Sequence, residues 1–168
     1  MPTIFTHPAV ALLRPWFGDV PRRAVVAGVI GSILPDLDVA AFALGIPYEH
    51  PLGHRGFTHS ILFALLYAVA AALLLRVRVP FLFLCTVSHT LLDALTDGGL
   101  GVAFFSPFSN ERYFFPWTPI RVSPIGAGFF SPRGLETLGS ELMWIWAPCV
   151  ALGLLGRALV QRRQHVRE

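Results

Sequence analysis

The sequence contains no lysine. All 13 of its basic residues are arginine, set against 10 acidic ones, and the resulting net charge of +3 is too small and too dispersed for a nucleic-acid footprint. Charged residues make up 14% of the chain, where soluble domains carry about 25%, and hydrophobic residues make up 54%, which excludes an ordinary soluble domain. There are two cysteines, Cys85 and Cys149, both inside apolar runs, so neither a disulfide scaffold nor a Cys-rich zinc module can be built. The same apolar composition excludes disorder. No internal repeat or low-complexity tract is present. The N-terminus lacks a cleavable signal pattern, because Pro8, Arg14 and Pro15 interrupt its apolar stretch. At 168 residues the chain is one domain's worth.

What is there are long uncharged runs. Residues 56–75 carry no formal charge, enough helix to cross about 30 Å of hydrocarbon. Residues 142–156 are also uncharged, with Trp144 and Trp146 near one end as interfacial anchors would be. Residues 79–96 are apolar except for His89 and Asp93, and residues 24–46 except for Asp36 and Asp38. The expected fold is therefore all-α: a polytopic helical membrane protein with about four membrane-embedded helices over roughly 24–46, 60–75, 79–96 and 141–159. Residues 1–168 then form a single integral membrane domain, with the lipid bilayer as its partner and no nucleic acid. In that topology nine arginines (14, 22, 23, 76, 78, 157, 162, 163, 167) share one side and four (55, 112, 121, 133) the other, which puts the first group in the cytoplasm. Segment 97–140 holds five prolines and nine of the 21 aromatic residues, so it is expected as a structured cap at headgroup level rather than a solvated loop.

Ionisable groups at membrane depth are costly and usually functional. Here they fall in three clusters: Asp36 and Asp38; His54, Arg55 and His59; and His89 and Asp93, with Asp97 one turn on. All three are expected toward the non-cytoplasmic side. His89 and Asp93 are four residues apart and share a helix face, a spacing that offers two metal ligands, and Asp97 extends it. Carboxylates near a helix C-terminus oppose the macrodipole unless a cation offsets them, and Pro35 places Asp36 and Asp38 in the same position by ending the helix before them. A divalent ion meets both demands. With His and carboxylate ligands and no convincing Cys, zinc, manganese and iron are the candidates, zinc first by frequency. Each cluster also has a plain reading: an HxxxD pair recurs by chance, Asp36 and Asp38 could cap a helix, and His54 and His59 could be interfacial, with Thr58 or Ser60 capping the next helix. It is their convergence at one depth that favours a metal.

The chain resembles the YdjM-like family of bacterial inner-membrane proteins, described as membrane-bound metal-dependent hydrolases. The resemblance rests on Thr6-His7, LPDLD (Leu34 to Asp38), HRGFTHS (His54 to Ser60), SHTLLDALTDGG (Ser88 to Gly99), PFSNERYFFPW (Pro107 to Trp117) and SPIG (Ser123 to Gly126). It implies a small helical membrane fold in the inner membrane and adds His7 to the ligand candidates. More loosely, the His and HxxxD set is similar to that of zinc-dependent phospholipases C and related nucleases. His7 fits only if residues 4–17 run inward from the site as a short helix and 24–34 return to Asp36, each arm reaching about 16 Å as an α-helix.

The expected ligands are thus His54, His59, His89, Asp93, Asp36 and His7. Asp36 or Asp38 is the expected proton acceptor, and Arg55 the expected holder of an anionic oxygen. Metal-assisted hydrolysis of a lipid or lipid-linked phosphoester is the function this set suggests. The other classes are a metal transporter or sensor and a structural membrane protein without catalysis. The apolar runs 61–75 and 142–156 disfavour a permeation path.

Overall fold

The computed structural model describes residues 1–124 and 126–165. Ile125 of the Ser123–Gly126 motif and Arg167 of the basic tail lie outside them. Among these residues six α-helices follow one another: α1 (Arg22–Ile33), α2 (Ala40–Ala43), α3 (Ile61–Leu75), α4 (Val79–Ala94), α5 (Pro132–Glu141) and α6 (Ala147–His165). Among the described residues the β-pairing is limited to two isolated bridges, Thr96 with Ile120 and Val102 with Tyr113.

Local chemistry sets the boundaries. Ser60 takes up extended backbone and its hydroxyl accepts the Phe63 N–H at 3.0 Å, which starts α3. Arg76 closes that helix in the left-handed conformation, with φ 52°. Pro80 opens α4 where its missing N–H costs nothing. Pro35 ends α1 as expected: the backbone tightens into a 3₁₀ coil over Leu34–Val39 and then relaxes into α2. Together these pieces make one helical run, Arg22–Ala43, long and apolar enough to cross a membrane. Among the described residues the other such run is Pro132–His165, in which α5 and α6 are joined through a π turn at Leu142–Trp146. It starts at Pro132 and not near 141, because Ser131 and Pro132 form a helix start that a search for uncharged residues passes over. Helices α3 and α4 are apolar but shorter.

The stretch before α1 is also helical, and this reshapes the short inward arm expected over residues 4–17. Residues His7–Phe17 wind as a 3₁₀ coil, favoured by Pro8 at its start and Pro15 inside it. At ~2 Å per residue its 11 residues reach about 22 Å, further than an α-helical arm would. This coil runs parallel to α6, with Trp146 bonded to the Thr6 hydroxyl at one end and the Trp16 indole N–H donating to the Leu152 carbonyl at 2.8 Å further along.

Small residues let the helices approach. Ala24 and Ala27 of α1 and Ala68 and Ala72 of α3 form one core with Phe81, Leu82 and Cys85 of α4. A second core joins Ala9, Val10, Ile120, Ile145 and Cys149. Outward faces stay apolar: Leu73 and Leu74 are 75% and 83% exposed, surface suited to lipid rather than water. Arg14, Arg22, Arg76, Arg78, Arg157, Arg162 and Arg163 gather at the end of the helices opposite to Asp36, His59 and Asp93, as the chain directions require.

Gly31 marks a close approach of α1 to both α3 and α4. A Cβ there would lie 2.3 Å from the Tyr67 ring and 2.4 Å from the Thr86 hydroxyl. Gly31→Ala is expected to cost about 1–3 kcal/mol through overpacking, read as a lowered unfolding temperature in detergent. Gly139→Ala, where the new methyl meets nothing within 4 Å, is expected to leave stability level or raise it slightly.

Candidate metal centre

Three elements deliver the site. Tightening of the helix after Pro35 turns Asp36 inward, the short 3₁₀ turn Phe57–His59 presents His59, and one face of α4 presents His89 and Asp93. In α4, Thr86 and Ser88 return their hydroxyls to the carbonyls of Leu82 and Cys85, so these polar side chains are satisfied within an apolar helix. Asp36, His59, His89 and Asp93 are all buried, and each offers a ligand atom within 4.8 Å of the others. The Nε2 atoms of His59 and His89 are 3.0 Å apart. Asp36 Oδ1 lies 3.4 Å from His89 Nε2 and 3.8 Å from His59 Nε2, and Asp93 Oδ2 lies 3.4 Å from His59 Nε2. Ligand atoms on a tetrahedral ion with bonds of 2.0–2.1 Å are about 3.3 Å apart, which these separations bracket.

The donor chemistry fits a cation. His89 Nδ1 lies 2.7 Å from the Ser32 carbonyl, which can only accept, so Nδ1 carries the proton and Nε2 a lone pair. His59 Nδ1 faces the Asp38 carboxylate at 3.0 Å and is fixed in the same sense. The interior point is then ringed by acceptors: two imidazole lone pairs and two carboxylates. Both oxygens of Asp36 and Oδ1 of Asp93 have no hydrogen-bond partner among the described residues. Buried acceptors facing one another repel, and a divalent ion satisfies all of them at once. Charge agrees. Asp36, Asp38 and Asp93 against Arg55 leave two negative charges, which one divalent ion offsets.

His7 joins from the side. Its ring stacks on His89, with centroids 3.7 Å apart, and its Nε2 lies 3.8 Å from Asp93 Oδ1 and 3.9 Å from Asp36 Oδ2. Neither of its ring nitrogens has a hydrogen-bond partner among the described residues. The reason it can arrive is distant in sequence. Glu141, 1% exposed at the end of α5, accepts from the Thr3 backbone N–H and from the hydroxyls of Thr3 and Thr6, each at 2.7 Å. This pin holds the segment just before His7. Glu141 and Thr3 went unnoticed in the sequence, although a carboxylate at the edge of an uncharged run is the signal that could have marked Glu141.

Other candidates sit one layer out. His54 does not reach the four-residue cluster: its Nδ1 lies 2.6 Å from Asp38 Oδ1, and with Asp38 and His59 it forms a second close group of potential ligands. Asp38 is almost fully engaged, by His54, by His59, by the Thr58 hydroxyl at 2.6 Å and by the Arg55 backbone N–H at 3.1 Å. It therefore orients His59 and has little capacity left to accept another proton. Arg55 points inward rather than toward an external anion. Its Nε donates to Asp93 Oδ2 at 2.9 Å, Nη1 to the Gly98 carbonyl and Nη2 to the Thr96 hydroxyl, and it is fully buried with φ 61°. Gly99 is required beside it, because a Cβ there would lie 2.8 Å from Nη1 and 2.9 Å from the Tyr48 hydroxyl. Asp97 leaves the face it was expected to extend. The helix ends before it, and its carboxylate takes the Arg121 guanidinium and the Val122 N–H, both at 2.8 Å. Partial burial would raise this carboxyl, but those two donors hold it below the usual carboxylate range.

The matches to known proteins agree with this reading of an apolar helical chain. No solved structure matches it. Inner membrane protein YbcI of Escherichia coli (strain K12) is 40% identical over 164 residues, covering 90% of this chain and 95% of that protein. The family described as YdjM inner membrane protein matches residues 1–165, a span that includes Glu141, the pin of His7, as well as every member of the buried His/Asp cluster. With its model matched over nearly the whole chain, the chain belongs to the YdjM inner membrane protein family.

Proposed function

We propose that this chain is a multi-pass protein of the bacterial inner membrane that holds one divalent metal ion, zinc first, and uses it to hydrolyse a lipid or lipid-linked ester. The observation that carries the reading is the buried meeting of ligand atoms from Asp36, His59, His89 and Asp93, in which both Asp36 oxygens and Asp93 Oδ1 have no hydrogen-bond partner among the described residues. The family and its relative are inner-membrane proteins by name, which supports the location. The gathering of arginines at the end away from the cluster supports a site on the extracytoplasmic side. The exposed aromatics of segment 97–140, Phe105, Phe108 and Trp117 among them, support a cap at headgroup depth, where a lipid's polar part would lie.

A divalent ion held here would supply an acidified water and an electrophile for the scissile group. Each residue then has a task. His59 and His89 present lone pairs fixed by Asp38 and by the Ser32 carbonyl. Asp93 is held by Arg55 so that one oxygen faces the imidazoles. Asp36, whose two oxygens are both unpartnered, is the carboxylate with capacity left to accept a proton, so the general base we assign is Asp36 and not Asp38. Arg55 acts through Asp93 and is a positioning residue. Because its guanidinium is committed, the preference for a phosphoester over an acyl ester loses the residue that argued for it, and the proposed class is a lipid-linked ester of either kind.

Metal analysis of the purified protein is expected to find about one divalent ion per chain, and alanine at His59, His89 or Asp93 to remove it together with lipid turnover. Metal-free protein whose lipid turnover survives these substitutions would overturn the reading. Asp38→Asn is expected to weaken metal binding about 10- to 100-fold in a competition titration, because it frees the His59 ring. Arg55→Lys separates two roles: a positioning residue predicts lower metal content and a lower unfolding temperature, whereas a substrate clamp predicts a raised KM with metal content unchanged.

A further inference from the structure

A groove of about 800 Å³ lies between the 3₁₀ coil His7–Phe17, α1 and α6. Its walls are apolar, with Ala11 and Leu12 from the coil, Val25 and Val29 from α1, and Val150 and Leu154 from α6. Its polar lining is confined to one end. Arg14 and Arg157 stand there with Asp19 and Gln161, while the end nearer the metal centre offers Pro8 and valines. Both arginines are exposed, and among the described residues neither forms an ion pair, with Asp19 or with any other carboxylate. Asp19 offsets one of the two charges, leaving the mouth net positive.

Two features show that the groove is built into the helix packing. Gly153 brings α6 against the coil, since a Cβ there would lie 2.7 Å from the Leu12 carbonyl oxygen. Trp16 then locks the pair, its indole packed on Gly156 and bonded to the Leu152 carbonyl. The helices are fixed along one line and splayed beside it, so the space does not close on itself. In a bilayer such a space is filled by lipid. An aliphatic trough that ends in two guanidiniums matches a molecule with acyl chains and a phosphate headgroup.

We propose that this groove is a binding site for an anionic phospholipid of the surrounding bilayer, its acyl chain along Leu12, Val29 and Leu154 and its phosphate held by Arg14 and Arg157. The site is separate from the metal centre and does not depend on the hydrolase reading.

The test uses full-length protein in neutral detergent, titrated with phosphatidylglycerol or with phosphatidylethanolamine of the same acyl chains. Bound lipid is read by native mass spectrometry and stability by thermal unfolding. Phosphatidylglycerol is expected to bind and raise the unfolding temperature more than phosphatidylethanolamine. The double variant Arg14→Gln/Arg157→Gln is expected to bind phosphatidylglycerol about thirty-fold more weakly. A second double variant, Arg162→Gln/Arg163→Gln, removes the same charge from the same end but outside the groove, and is expected to retain the preference. Equal binding of the two lipids overturns the proposal. So does an equal loss in both double variants, which would mean that general surface charge, and not the groove, selects the lipid. Metal content is expected to stay unchanged throughout, so failure here leaves the metal centre unaffected.

Discussion

Two imidazole lone pairs and two carboxylates meet at one buried point with no proton donor between them, and the surrounding structure serves to hold that arrangement. Water could satisfy such acceptors singly, but in an apolar interior an uncompensated cluster would push its members apart. The response is an ordered outer layer. Asp38 and the Ser32 carbonyl fix the two imidazoles, Arg55 fixes Asp93, and Asp38 in turn is held by Thr58, His54 and the Arg55 backbone. Arg55 takes up left-handed backbone so that one residue can donate from its main chain to Asp38 and from its side chain to Asp93. Strain of that kind persists where its surroundings over-determine it. Breaking such a buried pair by removing one partner leaves a bare charge inside, which costs about 3–5 kcal/mol.

Much of this was legible in the sequence, for a physical reason. In a chain with so few charges, an Asp or His inside an apolar run stands out, and the helical period places His89 and Asp93 on one face without any tertiary information. The starts of α3 and α4 and the break at Pro35 were also local, carried by Ser60, Pro80 and Pro35 themselves. The division of the polar residues into ligands and supports was not. Spacing cannot distinguish His54 from His59, because the difference arises from a turn that aims one ring at Asp38 from outside and the other from inside. Arg55 read as an outward anion holder because its type suits that task; only the fold reveals that Thr96 and the Gly98 carbonyl fill its remaining donors. Asp97 kept the helical spacing on paper, but the helix ends before it.

The N-terminal segment shows a different limit. Read as an α-helix, its arm reached only about 16 Å, so His7 fitted the site only through a short hairpin with 24–34. The coil is 3₁₀, longer per residue, and is held by a partner more than 130 positions away, in Glu141. Neither the winding nor the partner is encoded locally except through Pro8 and Pro15. The same coil also forms one wall of the groove beside α6, so one element borders both the buried cluster and the lipid-facing trough.

The Thr3–Thr6–Glu141 pin bears on the order of assembly. His7 is the first member of the cluster to leave the ribosome, yet its anchor lies in the final long helix, after every other member has been made. Until α5 is in place, Asp36, His59, His89 and Asp93 can gather without it, and the stacked ring over His89 is absent. The last helix therefore acts as a closing clasp: a chain truncated before residue 141 retains every cluster residue in its sequence and still lacks the means to complete the arrangement.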